Sequence, residues 1–170
     1  MKHARIRSKE DALLWLWGPD ADNPVMPEEG YSPSLVHAVL PYFTEPLEWL
    51  HIARGTGVVL PPDYEKVLAT NGEWAFSYAQ EVLQGPFPEA HAILATDLDE
   101  GLVYAQHILE SRWPEFEATL FQMDDDGRPT YLPQALTYAL HFGCRLPEPM
   151  HSHLEEHIRV FRLSVHESNV

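Results

Sequence analysis

Apolar residues recur along this chain at the spacing of an amphipathic helix. Between Ala75 and Leu83 they fall at positions i, i+3, i+4, i+7 and i+8, which places them on one helix face. A shorter segment follows, which opens with Pro88-Glu89 and ends at Leu94, and proline followed by an acid is typical of a first helical turn. No segment alternates apolar and polar residues for long enough to predict a strand. The pattern therefore predicts paired helices, a longer helix A and a shorter helix B.

This helical pattern returns at a fixed interval. The sequence from Tyr78 to Glu89 is matched from Tyr104 to Glu115, 26 residues later, and a more divergent copy with Pro62 and Leu68 precedes it by the same period. Such a period is typical of arrays whose units must stack on their neighbours to bury their apolar faces. We therefore predict an all-α fold of stacked short helix pairs, a HEAT-like or solenoid-like array with capping helices at both ends.

We interpret the 170 residues as a single helical-repeat domain. Residues 1–45 would form an N-terminal cap and a loop, and residues 46–123 would form three tandem repeats of period 26. Residues 124–170 would contain a turn insertion, a fourth divergent repeat and a capping helix. Because the repeated residues are mostly those that a core needs, we expect function to reside in what differs between repeats. Those differences are the acidic outer positions, the loop of residues 18–31 and the insertion of residues 124–129.

Acidic residues dominate the charged positions. The chain has 26 Asp and Glu against 11 Lys and Arg, for a formal net charge of −15, and the spans 10–53 and 67–111 contain no Lys or Arg. Such a surface repels nucleic acid and anionic membranes and attracts basic protein surfaces. We therefore expect the partner to be a basic protein surface, with no direct contact to nucleic acid or to a membrane.

The sequence also predicts a compartment. No apolar run reaches the roughly 18 residues of a membrane-spanning helix, and the N-terminus is charged rather than apolar. The single cysteine, Cys144, excludes an internal disulfide and fits a reducing environment. We therefore expect a cytoplasmic protein.

The carboxylates of the helix-A segments and of the turn after Met123 are the candidate partner contacts. Acids near helix N-termini stabilise a helix by roughly 0.3–1 kcal/mol each, which explains part of the acidity. Capping does not explain why Lys and Arg are absent over two long spans. We therefore predict an acidic partner-binding face that contains Glu73, Glu81, Asp97, Asp99, Glu100, Glu110, Asp124, Asp125 and Asp126.

Histidines near the C-terminus are the best candidate metal ligands. His151, His153 and His157 lie on one predicted helix, where residues four apart share a face, and His141 and Cys144 could lie near them. A second closely spaced ligand pair is missing, and exposed histidines on a capping helix are the simpler interpretation. We therefore predict no metal and no cofactor.

Motifs of catalysis are absent from the sequence. The turn Asp124-Asp125-Asp126-Gly127 lacks the alternating ligand spacing and the terminal Glu of a calcium-binding EF-hand loop. There is no Gly-x-Ser-x-Gly and no glycine-rich phosphate loop. The acids from Asp97 to Glu100 are explained as a helix cap and a solvated first turn. We therefore expect a protein that is not an enzyme.

Three large aromatic residues lie at repeated or nearly repeated positions, namely Trp74, Phe87 and Trp113. Positions that recur with the period of a helical array face the neighbouring unit. We therefore expect all three side chains to pack in the core between units.

The segment from Trp74 to Ala90, and again the residues around Arg112-Trp113-Pro114-Glu115, resemble a short repeat common in uncharacterised phage and bacterial proteins. Its usual form is Tyr-Ala, a hydrophobic pair and Gly-Arg-Trp/Phe-Pro-Glu. The resemblance covers residues 47–122 well and residues 134–154 loosely. It implies stacked helix pairs and a phage or mobile-element protein, and it brings no catalytic residues with it.

Charge, repeat and resemblance together predict an acidic protein-binding module. The specific hypothesis is a phage-encoded inhibitor of a host nucleic-acid-binding or defence complex in the host cytoplasm, acting by steric blocking or, like an anti-CRISPR protein, as a DNA mimic. Its carboxylates would replace phosphates, which B-DNA presents at about one charge per 1.7 Å. Two alternatives stay open: an immunity or antitoxin protein that neutralises a basic toxin, and a metal-dependent enzyme that uses the helix from His151 to His157.

Overall fold

Helices account for the regular structure of the described chain. The computed structural model describes residues 6–18 and 30–167, with residues 157 and 160–167 described by their backbone alone. Within these ranges the secondary structure is helical, with one isolated antiparallel bridge and no strand. The prediction of an all-α fold is confirmed. None of the helices in the described ranges is long and apolar enough to cross a membrane.

The chain divides into two compact units, Met1–Ile93 and Leu94–Val170. The helices of the first unit are α1 (Lys9–Trp17), α2 (Pro33–Val39), α3 (Pro46–Thr56), α4 (Pro62–Leu68) and α5 (Gly72–Tyr78). Helix α3 packs against both α4 and α5, and α1 packs against α2. Residues 19–29 of the predicted loop lie outside the described residues.

In sequence, the short helix α6 (His91–Leu94) spans the boundary between the units. The further helices of the second unit are α7 (Leu98–Tyr104), α8 (Pro114–Leu120), α9 (Leu132–Phe142) and α10 (Glu148–Glu167). Helix α7 packs against both α8 and α9. The apolar stripe from Ala75 to Leu83 lies on α5 and the turn that continues it, and the segment from Pro88 to Leu94 contains α6, so both predicted helical segments are confirmed.

The period of the sequence is also the period of the secondary structure. Helices α4 and α8 begin at Pro62 and Pro114, and a 3₁₀ turn that leads into α6 begins at Pro88, so successive starts are 26 residues apart. Helices α5 and α7 follow the capping residues Asn71 and Asp97, also 26 apart, and each cap side chain accepts a hydrogen bond from an amide in the first turn. The local capping chemistry therefore repeats together with the apolar pattern.

Helices α5 and α7 differ from α3 and α9 in how they end. Helices α3 and α9 have 11 residues each and stop at glycines with positive φ. Helices α5 and α7 have seven residues and continue into five-residue π turns, Ala79–Leu83 and Ala105–Leu109. The π turn accommodates one additional residue, and the residues that follow it, Gln84 and Glu110, adopt φ of 51° and 48°.

A buried tyrosine of the first unit joins helix A to the start of helix B. The Tyr78 hydroxyl accepts a hydrogen bond from the Leu60 amide at 2.8 Å and donates one to Glu65 Oε1 at 2.9 Å. Pro61 is the N-cap of α4 and has no amide hydrogen. The hydrogen bond to the Tyr78 hydroxyl therefore comes from the amide of the preceding residue, Leu60. Burial raises the pKa of Tyr78, which keeps the hydroxyl protonated as a donor.

The same arrangement occurs in the second unit. The Tyr138 hydroxyl accepts a hydrogen bond from the Trp113 amide at 2.7 Å and donates one to Glu117 Oε1 at 3.0 Å. Arg112 donates two hydrogen bonds of 2.7 Å to the Glu117 carboxylate. Glu65 and Glu117 each hold the fourth position of their helix. The pairs Tyr78–Glu65 and Tyr138–Glu117 therefore make the same hydrogen bonds at the start of helix B. We call this arrangement the Tyr and Glu device.

Candidate partner-binding surface

The two predicted acidic residues of the first unit lie on α5 and on its π turn. Glu73 is the second residue of α5 and its side chain is exposed. Glu81 lies in the π turn, and its Oε2 pairs with Arg54 Nε at 2.6 Å. Glu73 therefore presents its charge to solvent, whereas Glu81 is already compensated by a basic side chain of its own unit.

Four predicted residues of the second unit lie on α7 and its π turn. Asp97 is the N-cap, and its Oδ1 accepts a hydrogen bond from the Glu100 amide at 3.1 Å, as the capping pattern predicted. Asp99 is exposed and Glu100 is half-buried in the same first turn. Glu110 follows the π turn and is exposed. Asp97 therefore has a structural role, and Asp99 and Glu110 remain as outward-facing charges.

The predicted turn of three carboxylates is a compact hydrogen-bonded loop. Asp124 Oδ1 accepts hydrogen bonds from the amides of Asp126 and Arg128 at 3.0 and 2.7 Å. The Asp126 carboxylate lies 3.6 Å from the Arg128 guanidinium. Asp124 and Asp126 are thus engaged within the turn, and Asp125 is exposed at its tip.

Ion pairing within the chain leaves a group of exposed carboxylates uncompensated. The two basic residues between positions 10 and 111 are Arg54 and Lys66, and both pair internally, with Glu81 at 2.6 Å and Asp63 at 3.4 Å. The described residues also include exposed carboxylates that make no ion pair, among them Glu73, Glu89, Asp99, Glu110 and Asp125. The negative field of these side chains is therefore directed outward to solvent and to any partner.

A hollow in the first unit lies between the N-terminal ends of α3 and α5. Its volume is about 530 Å³, and its lining consists of Glu45, Pro46, Leu47, Glu48, His51 and Trp74. The Leu47 side chain is 45% exposed. The lining combines apolar side chains with two carboxylates, so the hollow is a recess that a side chain of another protein could enter.

Trp74 does not have the core role that the repeat predicted for it. Phe87 and Trp113 are buried, with 1% and 3% exposure, as expected. Trp74 is half-buried and lines the hollow. The reason lies in the repeat position, because Glu48 and Glu100, one period before and after Trp74, are also only half-buried in their own copies of the repeat.

The register also provides a signal by which the hollow could have been found. Leu47 occupies the position that Glu73 and Asp99 hold in the next two copies. Leu47 and Trp74 are therefore apolar residues at positions that are otherwise acidic and solvated. Comparison of the copies position by position identifies both, whereas the apolar pattern of a single copy assigns Trp74 to the core.

The histidine candidates do not form a metal site among the described side chains. His151 Nε2 lies 3.3 Å from Glu155 Oε1, and the His141 ring packs 4.6 Å from the Phe142 ring. No group of three or more His, Cys, Asp or Glu that could hold a metal is present where side chains are described. The His157 side chain lies outside the described residues, and so does its predicted pairing with His153.

Comparison with known proteins gives no family for this chain. No protein-family model, no curated protein and no solved structure matches it significantly.

Proposed function

We propose that this protein is a binding module, without enzymatic activity, that engages a basic surface of another protein through its exposed carboxylates. The observation that carries the proposal is that Lys9, Arg54 and Lys66 are already paired within the chain. Exposed carboxylates such as Glu73, Asp99 and Glu110 make no ion pair with described residues. Exposed and uncompensated charge speeds the encounter with a partner of opposite sign and orients it.

The proposed architecture is a stacked array of helix pairs. The 26-residue recurrence of helix starts at Pro62, Pro88 and Pro114 supports it, together with the repeated Tyr and Glu device. Arrays of this kind present the outer residues of successive units along one extended surface.

The exposed carboxylates without basic partners support the more specific proposal of a phage-encoded inhibitor that mimics DNA. The partner would be a host nucleic-acid-binding or defence protein, and its arginine and lysine side chains would bind carboxylates where they otherwise bind phosphates. The resemblance of residues 47–122 to a repeat of phage and bacterial proteins supports the phage origin. An inhibitor of this kind occupies the partner's DNA site, so inhibition is competitive with DNA.

The test is binding of a defined arginine-rich peptide by the full-length chain, measured by isothermal titration calorimetry over a range of NaCl concentrations. We expect the affinity to fall roughly tenfold or more between low and physiological salt, because screening weakens contacts between exposed charges. The triple variant Glu73→Gln, Asp99→Asn and Glu110→Gln should bind more weakly than the wild type at low salt.

The matched control neutralises acids that are already paired within the chain. The triple variant Asp63→Asn, Glu81→Gln and Asp126→Asn lowers the negative charge by the same amount, but it removes carboxylates that face Lys66, Arg54 and Arg128. We expect this control to lose less affinity than the variant of the three unpaired carboxylates. Binding that does not respond to salt, or an equal loss in both variants, would contradict the proposal.

A further inference from the structure

We infer that the hollow formed by Glu45, Leu47, His51 and Trp74 is a recognition site for an arginine side chain presented by the basic partner. The inference rests on the proposed function and makes it more specific, because it identifies one contact and the residue type that fills it. The hollow lies within the first unit, and its volume of about 530 Å³ is in the range of side-chain and small-ligand clefts.

Glu45 supplies an exposed and unpaired carboxylate in the lining. It is the N-cap residue of α3: its backbone carbonyl accepts a hydrogen bond from the Glu48 amide at 3.0 Å, and the Glu48 side chain accepts one from the Glu45 amide at 3.4 Å. Glu45 makes no ion pair with any described residue. Its carboxylate therefore keeps its hydrogen-bonding capacity for a partner.

Glu48, the other carboxylate of the lining, is already neutralised by Lys9. Its Oε1 pairs with Lys9, and that hydrogen bond holds the pKa of Glu48 below its usual range. Lys9 in turn lies over the Phe43 ring, 5.4 Å from the ring centre. The charge that an incoming group would meet in the hollow is therefore that of Glu45.

Trp74 supplies an aromatic surface that no described residue of the chain uses. Trp49 donates its indole N–H to the Phe43 carbonyl at 2.9 Å, and its ring meets Tyr64 at 4.7 Å. Within the described residues Trp74 has no aromatic neighbour and its indole N–H has no acceptor. A half-exposed indole beside a carboxylate is suited to a group that is both planar and positively charged.

The chemistry of the lining selects arginine among the possible occupants. An acidic side chain would be repelled by Glu45, and a purely apolar one would bury that carboxylate without a partner. Lysine satisfies the charge, but its compact ammonium group lacks a planar face. A guanidinium group can stack on the Trp74 indole, pair with the carboxylate through two N–H groups and rest its methylene chain on Leu47.

The test is a titration followed by the indole N–H signals in two-dimensional ¹H–¹⁵N NMR spectra of the full-length protein. The probes are three capped pentapeptides, Gly-Gly-X-Gly-Gly, in which X is arginine, lysine or citrulline. Citrulline retains the shape of arginine without its charge. Loss of one signal in Trp74→Phe assigns the Trp74 resonance, and the Trp49 resonance serves as the internal control.

We expect the arginine peptide to shift the Trp74 signal saturably and to leave the Trp49 signal in place. The lysine peptide should bind roughly threefold or more weakly, since it loses the stacked planar contact. The citrulline peptide should give no saturable shift. Glu45→Gln should abolish saturation by arginine, whereas Asp63→Asn, which changes an exposed acid of the first unit that already faces Lys66, should leave the affinity within about twofold.

Three results would overturn the inference, and they separate it from the proposed function. If citrulline binds as well as arginine, the hollow is an apolar groove. If the arginine-rich peptide binds the chain while the Trp74 signal stays fixed, the acidic surface binds basic protein and the hollow takes no part. If neither the arginine pentapeptide nor the arginine-rich peptide binds at low salt, the proposed function fails together with the inference.

Discussion

At the scale of single residues, the hydroxyls of Tyr78 and Tyr138 explain why tyrosine recurs in these helices. Both rings are fully buried, where phenylalanine would satisfy the core equally well. Each hydroxyl accepts a hydrogen bond from a backbone amide ahead of helix B and donates one to a glutamate of that helix. Burial raises the pKa of Tyr138 to about 12, so the hydroxyl remains a donor across the physiological range.

Tyr138→Phe tests this device. We expect the variant to lose about 1–3 kcal/mol of unfolding free energy, because the buried Trp113 amide loses its acceptor. Urea denaturation followed by circular dichroism measures the change. Tyr131→Phe is the control, since the half-buried Tyr131 hydroxyl makes no hydrogen bond with described residues and its loss should cost less than about 0.5 kcal/mol. Equal losses in the two variants would contradict the assigned role.

Glu117 should make stability depend on pH in the acid range. The hydrogen bonds from Arg112, and then that from Tyr138, hold the pKa of Glu117 below the usual 4.5. A carboxylate whose pKa is lower in the folded state stabilises the fold above its unfolded pKa, and this contribution is lost as the pH falls through the folded pKa. Below pH 4.5 the wild type should therefore lose stability more steeply than Glu117→Gln.

Unfolding experiments at several pH values between neutral and strongly acid conditions check this expectation. Glu115→Gln is the matched control, because Glu115 is exposed and makes no ion pair with described residues. The pH dependence of this control should follow that of the wild type. A Glu117→Gln variant that retains the full wild-type pH dependence would show that the pair with Arg112 does not stabilise the fold.

At the scale of the elements, the π turns show how the repeat absorbs an additional residue in helix A. Two helices end at glycines with φ of 66° and 61°, Gly57 and Gly143, whereas the two with π turns end at Gln84 and Glu110 in the same left-handed region. A side chain in that region costs roughly 1–2 kcal/mol relative to the right-handed helix. The fold therefore tolerates strain at the ends of α5 and α7 that glycine relieves at the ends of α3 and α9.

Exchanging the residues at these ends should change stability in opposite directions. Gly143→Ala should destabilise the chain by about 1 kcal/mol, and Gln84→Gly should stabilise it by roughly 0.5 kcal/mol, since relief of strain exceeds the entropy cost of glycine. Gly85→Ala is the neighbouring control, because its φ is not positive and a Cβ would meet only the Leu83 carbonyl oxygen at 3.8 Å. The melting temperatures of the three variants, compared with that of the wild type, measure these changes. A destabilised Gln84→Gly would contradict the explanation by strain.

At the scale of the whole molecule, the net charge of −15 opposes folding and promotes association with basic partners. Exposed carboxylates such as Glu73, Asp99 and Glu110 lie at helix ends, where the helix dipole or a turn stabilises some of them locally. Their mutual repulsion extends over a Debye length of about 10 Å at moderate salt. The same side chains are therefore a cost in stability and the basis of the proposed function.

Added salt should stabilise the free protein while it weakens binding. We expect the melting temperature to rise when NaCl is raised from about 10 to 150 mM, because screening reduces the repulsion among like charges. The triple variant Glu73→Gln, Asp99→Asn and Glu110→Gln should show a smaller rise. Glu81→Gln, which breaks the pair with Arg54, should lower the melting temperature at low salt instead. A melting temperature that falls with salt in the wild type would contradict this account.

The sequence by itself determined the helices, their starts and their period, because these depend on local chemistry. The Asp97 cap, the prolines at first helical positions and the apolar spacing are all visible within a few residues. It also determined the excess of negative charge. It did not determine which acids form ion pairs with Arg54 and Arg128 or accept hydrogen bonds as helix caps.

Tertiary structure decided which side chains are paired, buried or left open, because those properties depend on residues far apart in the chain. The partners of Tyr138 lie 21 and 25 positions away, and Lys9 neutralises Glu48 across 39 positions. The hollow exists because the ends of α3 and α5 meet, which exposes Leu47 and Trp74 beside Glu45. The sequence shows that a residue is apolar, but it does not show whether other side chains cover it. Only the packed structure distinguishes a buried apolar side chain from an exposed one.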